Sequence, residues 1–292
     1  MLYVLTEVKR NIKKYRFQLF LMIPLAVYIF GFTLGPVLYA IFISFQEKFT
    51  QAFPTLDNYR YIIGHFQFKQ AFLNTILITV ISLTLELAMG LFLAVLLTRR
   101  FIGKGFLRAL VILPLGVPTI VAAANMRYIF GTQGYLNEIL HKLSIINVPV
   151  DWTGGGFSTI MAIALSDMWK VTPFVVLILL AGLENIPDQL YEAAKVDGAS
   201  PWQVFGKITF PLLKPFITIA LIVRGIDAFR LFELPLTLVG SRMPVLSTYT
   251  YFEYYQYDNP YTSSASAVIL LILIVISASF YLKTVGKTES SY

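Results

Sequence analysis

This chain has no cysteine and only two histidines, His65 and His141, among its 292 residues. Disulfides and thiolate metal sites are thereby excluded. Both histidines fall in hydrophilic connections, which leaves no ligand set for a metal. Charge is scarce as well: Asp, Glu, Lys and Arg make up 13% of the residues, roughly half the share in an ordinary soluble domain. Gly154-Gly155-Gly156 is followed by no Gly-Lys-Ser/Thr, and the full Gly-x4-Gly-Lys-Ser/Thr pattern occurs nowhere, since Gly286-Lys287-Thr288 has Tyr281 where the first glycine would stand, so the chain lacks a phosphate-cradling loop of its own. No nucleophile–base pair stands within the apolar segments to support catalysis, and the chain is not expected to be an enzyme.

Apolar sequence is what abounds. Hydrophobic residues are 57% of the total and the mean hydropathy is +0.71. A membrane-crossing helix needs about 20 apolar residues, and six runs qualify: Phe17 to Phe45, Ala71 to Leu97, Leu107 to Phe130, Ile160 to Ala181, Phe216 to Leu238 and Ser263 to Leu282. The expected fold is an all-α polytopic membrane protein with six transmembrane helices. Basic residues Lys9, Arg10, Lys13, Lys14 and Arg16 precede the first run. That run is too long for a signal peptide and reads as an uncleaved anchor.

The basic residues also orient the chain. Fourteen lie in the N-terminal tail, the second-to-third loop, the fourth-to-fifth loop and the C-terminal tail, against five in the other three loops. Both termini are therefore expected in the cytoplasm. The division is a basic tail over 1–16, a transmembrane domain over 17–285 and a C-terminal tail over 286–292. The net charge of +7 is topological and requires no nucleic acid.

The fourth-to-fifth loop, Gly182 to Pro215, is longer than a turn between spans requires. Pro187 and Asp188 suit the first turn of a helix, and Glu192 and Lys195 are spaced to pair along it. Gly198 supplies a left-handed stop. Ser200-Pro201-Trp202-Gln203 spells a capping box with proline at the first helical position, so a second short helix is expected at once. The result is a helix–glycine–helix elbow on the cytoplasmic side. Ala193 and Ala194 let another surface approach the backbone. Asp197 opposes the helix dipole and needs a basic partner, either on another subunit or Lys207 nearby.

The spacing Glu192-Ala193-Ala194, Asp197-Gly198-Ala199, Ile208, Pro211 and Pro215 closely resembles the cytoplasmic loop of ABC importer permeases. The likeness extends to Asn74-Thr75, Gly90-Leu91, Leu113-Pro114, Pro118, Gly134-Tyr135-Leu136-Asn137, Trp169, Ala181-Gly182-Leu183 and Ile186-Pro187. Among such permeases, the carbohydrate type that carries glycerol-phosphate or disaccharides is most similar. Phe210 replaces a usual leucine, Met126 a usual tryptophan, and Val239 to Pro244 a usual glycine-rich stretch. The resemblance implies a coupling helix within 183–215, with Tyr191, Glu192, Ala193, Ala194, Asp197, Gly198, Ala199 and Pro211 facing an ATPase. It further implies an ATPase dimer that uses ATP and Mg, a second homologous permease, and an extracytoplasmic solute-binding protein. The expected location is a prokaryotic plasma membrane, among its lipids, with no cofactor bound by this chain.

Charged residues within spans are costly and default to pathway or pairing roles. Asp167 and Lys170 sit three apart in the fourth span and are expected to neutralise each other. Arg224, Asp227, Arg230 and Glu233 repeat the spacing in the fifth with alternating sign, as an ion-pair ladder or as the lining of a polar cavity. Trp169, Phe229 and Phe232 lie close by to cover sugar rings, while the arginines would also suit a phosphorylated or acidic solute. An ion-coupled secondary transporter using Glu86, Asp167 and Asp227 is the competing reading, but the inverted repeats it calls upon are not evident. Ser247 to Tyr261, with six tyrosines, is either a receptor contact or an interfacial belt.

Overall fold

The computed structural model describes residues 15–99 and 101–289. The basic tail before Tyr15 lies outside the described residues, as do Arg100 and residues 290–292. Among the described residues there is no strand. The helices are α1 (Arg16–Tyr28), α2 (Gly35–Ser44), α3 (Asp57–Gly64), α4 (Phe66–Thr98), α5 (Lys104–Ile112), α6 (Thr119–Ile129) and α7 (Tyr135–Lys142). They continue as α8 (Gly156–Glu184), α9 (Asp188–Val196), α10 (Pro201–Val204), α11 (Phe210–Phe229), α12 (Glu233–Val239), α13 (Leu246–Tyr255) and α14 (Pro260–Glu289).

Five helical rods are long and apolar enough to cross a bilayer: Arg16–Ser44, Phe66–Thr98, Gly156–Glu184, Pro201–Phe229 and Pro260–Leu282. A sixth crossing arises if α5 and α6, bent by 102° at their junction, count as one span. The third run is therefore not the straight helix its composition suggests. Val117 is extended (φ −83°, ψ 128°), as a residue before proline prefers, and Pro118 has no N–H with which to continue the ladder.

Two rods stay continuous across a proline by widening a turn. Residues Ile29–Leu34 and Phe205–Thr209 are π-helical, with Gly35 N–H reaching the Phe30 carbonyl and Phe210 N–H the Phe205 carbonyl. Pro36 and Pro211 follow one residue later. The extra residue in the turn moves the carbonyl that the proline ring would strike. The second elbow helix is consequently not a separate short one: α10 runs through its π turn directly into α11.

The fifth run departs from expectation at its other end. The α11 helix stops at Phe229, Arg230 leaves helical geometry (φ −98°, ψ 19°), and α12 starts afresh at Glu233. The connections between runs also hold structure, with α3 between the first and second runs, α7 between the third and fourth, and α13 across the tyrosine-rich stretch.

Interior positions are small or polar. Thr75, Thr79, Ser82, Glu86, Gly90, Ala94 and Leu97 recur every three or four residues along α4, and all are buried. Without a hydrophobic drive between helices in lipid, small residues permit close van der Waals contact and polar ones seek partners inside. The most extensive packing is between α4 and α8. At Gly90 a Cβ would stand 2.6 Å from Val175 Cγ1, so only glycine admits this approach. Apolar clusters lie above and below the polar middle. Ile78, Met126, Phe130, Ile163, Leu238 and Met243 form one, and Ala94, Leu179, Leu183, Leu213 and Ile217 the other.

Candidate functional site

Between those clusters three helices bring charge together. Arg224 of α11 donates from Nε to Glu86 Oε2 and from Nη2 to Glu86 Oε1 of α4, both at 2.9 Å, and again from Nη2 to Asp167 Oδ2 of α8 at 3.2 Å. The two-pronged bond to Glu86 is the geometry in which guanidinium and carboxylate match best. Glu86, Asp167 and Arg224 are 1%, 2% and 5% exposed. The chain of charge continues outward, with Arg224 Nη1 3.8 Å from Asp227 Oδ2 and Arg230 Nη2 2.7 Å from Asp227 Oδ1.

The expected Asp167–Lys170 pair does not form. Asp167 is taken by Arg224, and Lys170 Nζ instead donates to the Leu115 carbonyl at 3.2 Å. That carbonyl lies at the α5–α6 bend, where Pro118 three residues on has no N–H to offer. Lys170 thus ties α8 to the broken span. The four-member ladder is also cut short: Arg224, Asp227 and Arg230 are linked, but Glu233 belongs to α12 and makes no ion pair among the described residues. All six nevertheless border one cavity of about 350 Å³, together with Thr119, Leu231 and Phe232. Glu86, left out of the sequence-level pathway set, is the main partner of Arg224. Its signal was present, as the one acid in α4 on the face marked by Thr75, Thr79 and Ser82.

At the opposite end of α11 stands the elbow. Pro187 caps α9, and Asp188 lies in its first turn. The helix closes on Gly198 at φ +70°, with Ala199 N–H bonded to the Ala194 carbonyl at 2.9 Å and Gly198 N–H to the Lys195 carbonyl at 3.2 Å. This double closure is the Schellman motif. The Ser200 capping box is present: Ser200 N–H donates to Gln203 Oε1 at 2.8 Å, and Gln203 N–H to Ser200 Oγ at 3.4 Å. One side of α9 seats on the helical body, through buried Ala194 and the Tyr191 hydroxyl 3.2 Å from Thr209 Oγ1. The other side is open, with Val196 87% and Trp202 84% exposed. Glu192 and Lys195 do not pair, and neither Asp197 nor Lys207 has an ion-pair partner among the described residues. Pro211 is exposed beside the π turn.

The far end of the rods is organised by two of the motif residues read from sequence. Asn74 Nδ2 donates to the Pro244 carbonyl at 2.9 Å, and Leu246 N–H donates to Thr75 Oγ1 at 2.8 Å. They anchor the α12–α13 connection on α4.

Residues 86–286 match the family described as binding-protein-dependent transport system inner membrane component. The chain belongs to this family. It is the membrane-embedded permease subunit of an ABC importer. Among relatives, the permease is 36% identical to the trehalose/maltose transport system permease protein MalF of Thermococcus litoralis, over 91% of this chain and 92% of that one. It is 33% identical to the trehalose transport system permease protein SugA of Mycobacterium tuberculosis, over 93% and 89% respectively. In fold, the permease resembles a chain of a bacterial ABC transporter that imports the acidic polysaccharide alginate, with a TM-score of 0.77 and 22% identity over 95% of this chain and 99% of that one. A second structure of such a transporter, in complex with an alginate-pentasaccharide-bound periplasmic protein, gives a TM-score of 0.79 at 22% identity, over 96% and 97%.

Proposed function

We propose that this permease carries a sugar or related polyol and forms half of a translocation pathway shared with a second, homologous permease. The observation that carries the reading is the convergence of Asp167, Lys170, Arg224, Asp227, Arg230 and Glu233 on one cavity beside the Phe232 ring. Its volume falls within the roughly 300–1,000 Å³ of small-molecule sites. Carboxylates and ammonium or guanidinium groups hydrogen-bond hydroxyls, and an aromatic face covers the apolar patch of a sugar ring. The named transport of trehalose and maltose by relatives supports the class.

A phosphorylated or acidic solute is the second reading, favoured by Lys170 and Arg230 at the cavity wall. The charge balance weighs against it. Three bases (Lys170, Arg224, Arg230) meet three acids (Asp167, Asp227, Glu233) around the cavity, and Arg224 is already committed to Glu86 and Asp167. Little positive charge remains for an anion.

The elbow is assigned to coupling. Tyr191, Glu192, Ala193, Ala194, Asp197, Gly198, Ala199 and Pro211 present or support the surface that seats on a separate ATPase dimer, which binds ATP and Mg while this chain has no ATPase site. Exposed Val196 and Trp202 give that surface apolar anchors, and the unanswered Glu192 and Asp197 give it charge. A solute-binding protein delivers cargo at the far end, and both termini lie on the cytoplasmic side of a prokaryotic plasma membrane.

The test is purification of the intact complex in lipid, with ATP hydrolysis measured in the presence of its binding protein and a panel of solutes. Trehalose or maltose is expected to stimulate hydrolysis. Stimulation only by phosphorylated or acidic sugars would establish the second reading, and stimulation by no saccharide would overturn the class.

A further inference from the structure

Beside the charged cavity the aromatic rings form a connected series. Tyr251 and Tyr255, four residues apart on α13, share one face of the helix, and their ring centroids are 4.8 Å apart. Tyr254 lies beside Tyr255, with ring centroids 5.2 Å apart. On the inward side Tyr251 meets Phe232 at 5.4 Å, edge to face, and Phe232 is itself a wall of the cavity. The placement of Phe232 is built rather than incidental. It sits in the break between α11 and α12, where the Leu231 carbonyl accepts from Ser247 Oγ at 2.5 Å. The first turn of α13 thereby holds the break that aims this ring.

Exposure falls along the series, from 71% at Tyr255 to 36% at Tyr251, and Phe232 is half-buried at the cavity wall. Rings of an interfacial belt each face lipid independently, and a receptor-binding patch needs no contact with the interior. A chain of touching rings that ends on a cavity of hydrogen-bonding groups matches a ligand with alternating apolar faces and hydroxyl edges. On the saccharide reading of this cavity, which it presupposes, we infer that Tyr255, Tyr251 and Phe232 form a stacking track along which a pyranose ring moves between the outer surface and the charged cavity. The exposed tyrosine hydroxyls offer it successive hydrogen bonds while the ring faces offer apolar contact.

The experiment uses the full complex in proteoliposomes with its binding protein and radiolabelled trehalose. Uptake and receptor-stimulated ATP hydrolysis are measured for Tyr251→Leu, Tyr251→Phe and Tyr255→Leu. The leucine variants keep apolar bulk but remove the ring face. They are expected to lower uptake about fivefold, the order of one lost aromatic contact, with ATP hydrolysis unchanged. Tyr251→Phe is expected to retain most uptake. Equal uptake in all variants overturns the track, and so does a parallel fall of uptake and hydrolysis, which assigns the rings to receptor docking or to the fold. No trehalose or maltose uptake by the unaltered complex overturns the saccharide reading itself, and the track with it.

Discussion

Arg224 is held by the carboxylates around it, and they set what its removal costs. In Arg224→Met, Glu86 and Asp167 are left in the interior with no countercharge, and breaking a buried pair in this way typically costs about 3–5 kcal/mol. Asp167→Asn leaves the two-pronged Glu86 bond at 2.9 Å in place and loses only the longer contact at 3.2 Å. Glu86→Gln falls between, since Arg224 keeps Asp167. The expected order of destabilisation is Arg224→Met, then Glu86→Gln, then Asp167→Asn, read as thermal unfolding midpoints of the purified complex. The double replacement Glu86→Gln with Arg224→Met should recover part of the single Arg224 loss. Three equal shifts, or additive losses in the double variant, would contradict the clamp.

At the scale of elements, the elbow turns on a backbone conformation rather than on a contact. Gly198 has φ +70° with nothing within 4 Å of an added Cβ, so space is not what forbids a side chain there. A β-branched residue in this conformation costs roughly 1–2 kcal/mol, enough to favour a different closure of α9. Gly198→Val is therefore expected to leave the membrane helices folded while lowering uptake per ATP hydrolysed or releasing the ATPase on purification. Undiminished assembly and transport in that variant would sink the coupling role.

The elbow was legible because its signals are local: a proline before the helix, a glycine after it, and a Ser-Pro-x-Gln box each specify their own geometry. The polar face of α4 carried a signal in its three-to-four-residue spacing that the sequence reading did not draw on, since it took Glu86 by itself. The departures share a different cause. Arg230-Leu231-Phe232 itself contains neither proline nor glycine; Pro235, four residues after Leu231, cannot donate to the Leu231 carbonyl, but where the chain turns is settled from outside, by Ser247 on that carbonyl and Tyr251 on Phe232. Likewise the three-residue spacing of Asp167 and Lys170 identifies a shared face but not the longer-reaching Arg224 that faces it from another helix. Pro114 and Pro118 did carry a local signal for the 102° bend, masked by the unbroken apolar run around them.

For the whole molecule, the proposed pathway cavity and the proposed coupling elbow lie at opposite ends of one rod. Pro201–Phe229 has 29 residues and would span about 43 Å as a straight α-helix, more than the roughly 30 Å of a bilayer's hydrocarbon core. On the proposed topology, Trp202 at one end and the α13 tyrosines beyond the other face different compartments, with Trp202 on the cytoplasmic side as the distribution of basic residues favours. A chain without cysteine permits a direct measurement, because a single introduced thiol reacts against no background. With a membrane-impermeant maleimide, Tyr255→Cys is expected to label in intact cells, and Trp202→Cys only in inside-out vesicles. If the elbow is the ATPase seat proposed above, stripping the ATPase increases labelling at Trp202→Cys without affecting Tyr255→Cys. Labelling of both positions from one side would rule out a crossing by this rod, and the reverse pattern would invert the orientation. ATPase-independent labelling at Trp202→Cys would move the docking surface away from the exposed indole and onto the Glu192–Asp197 side of the elbow.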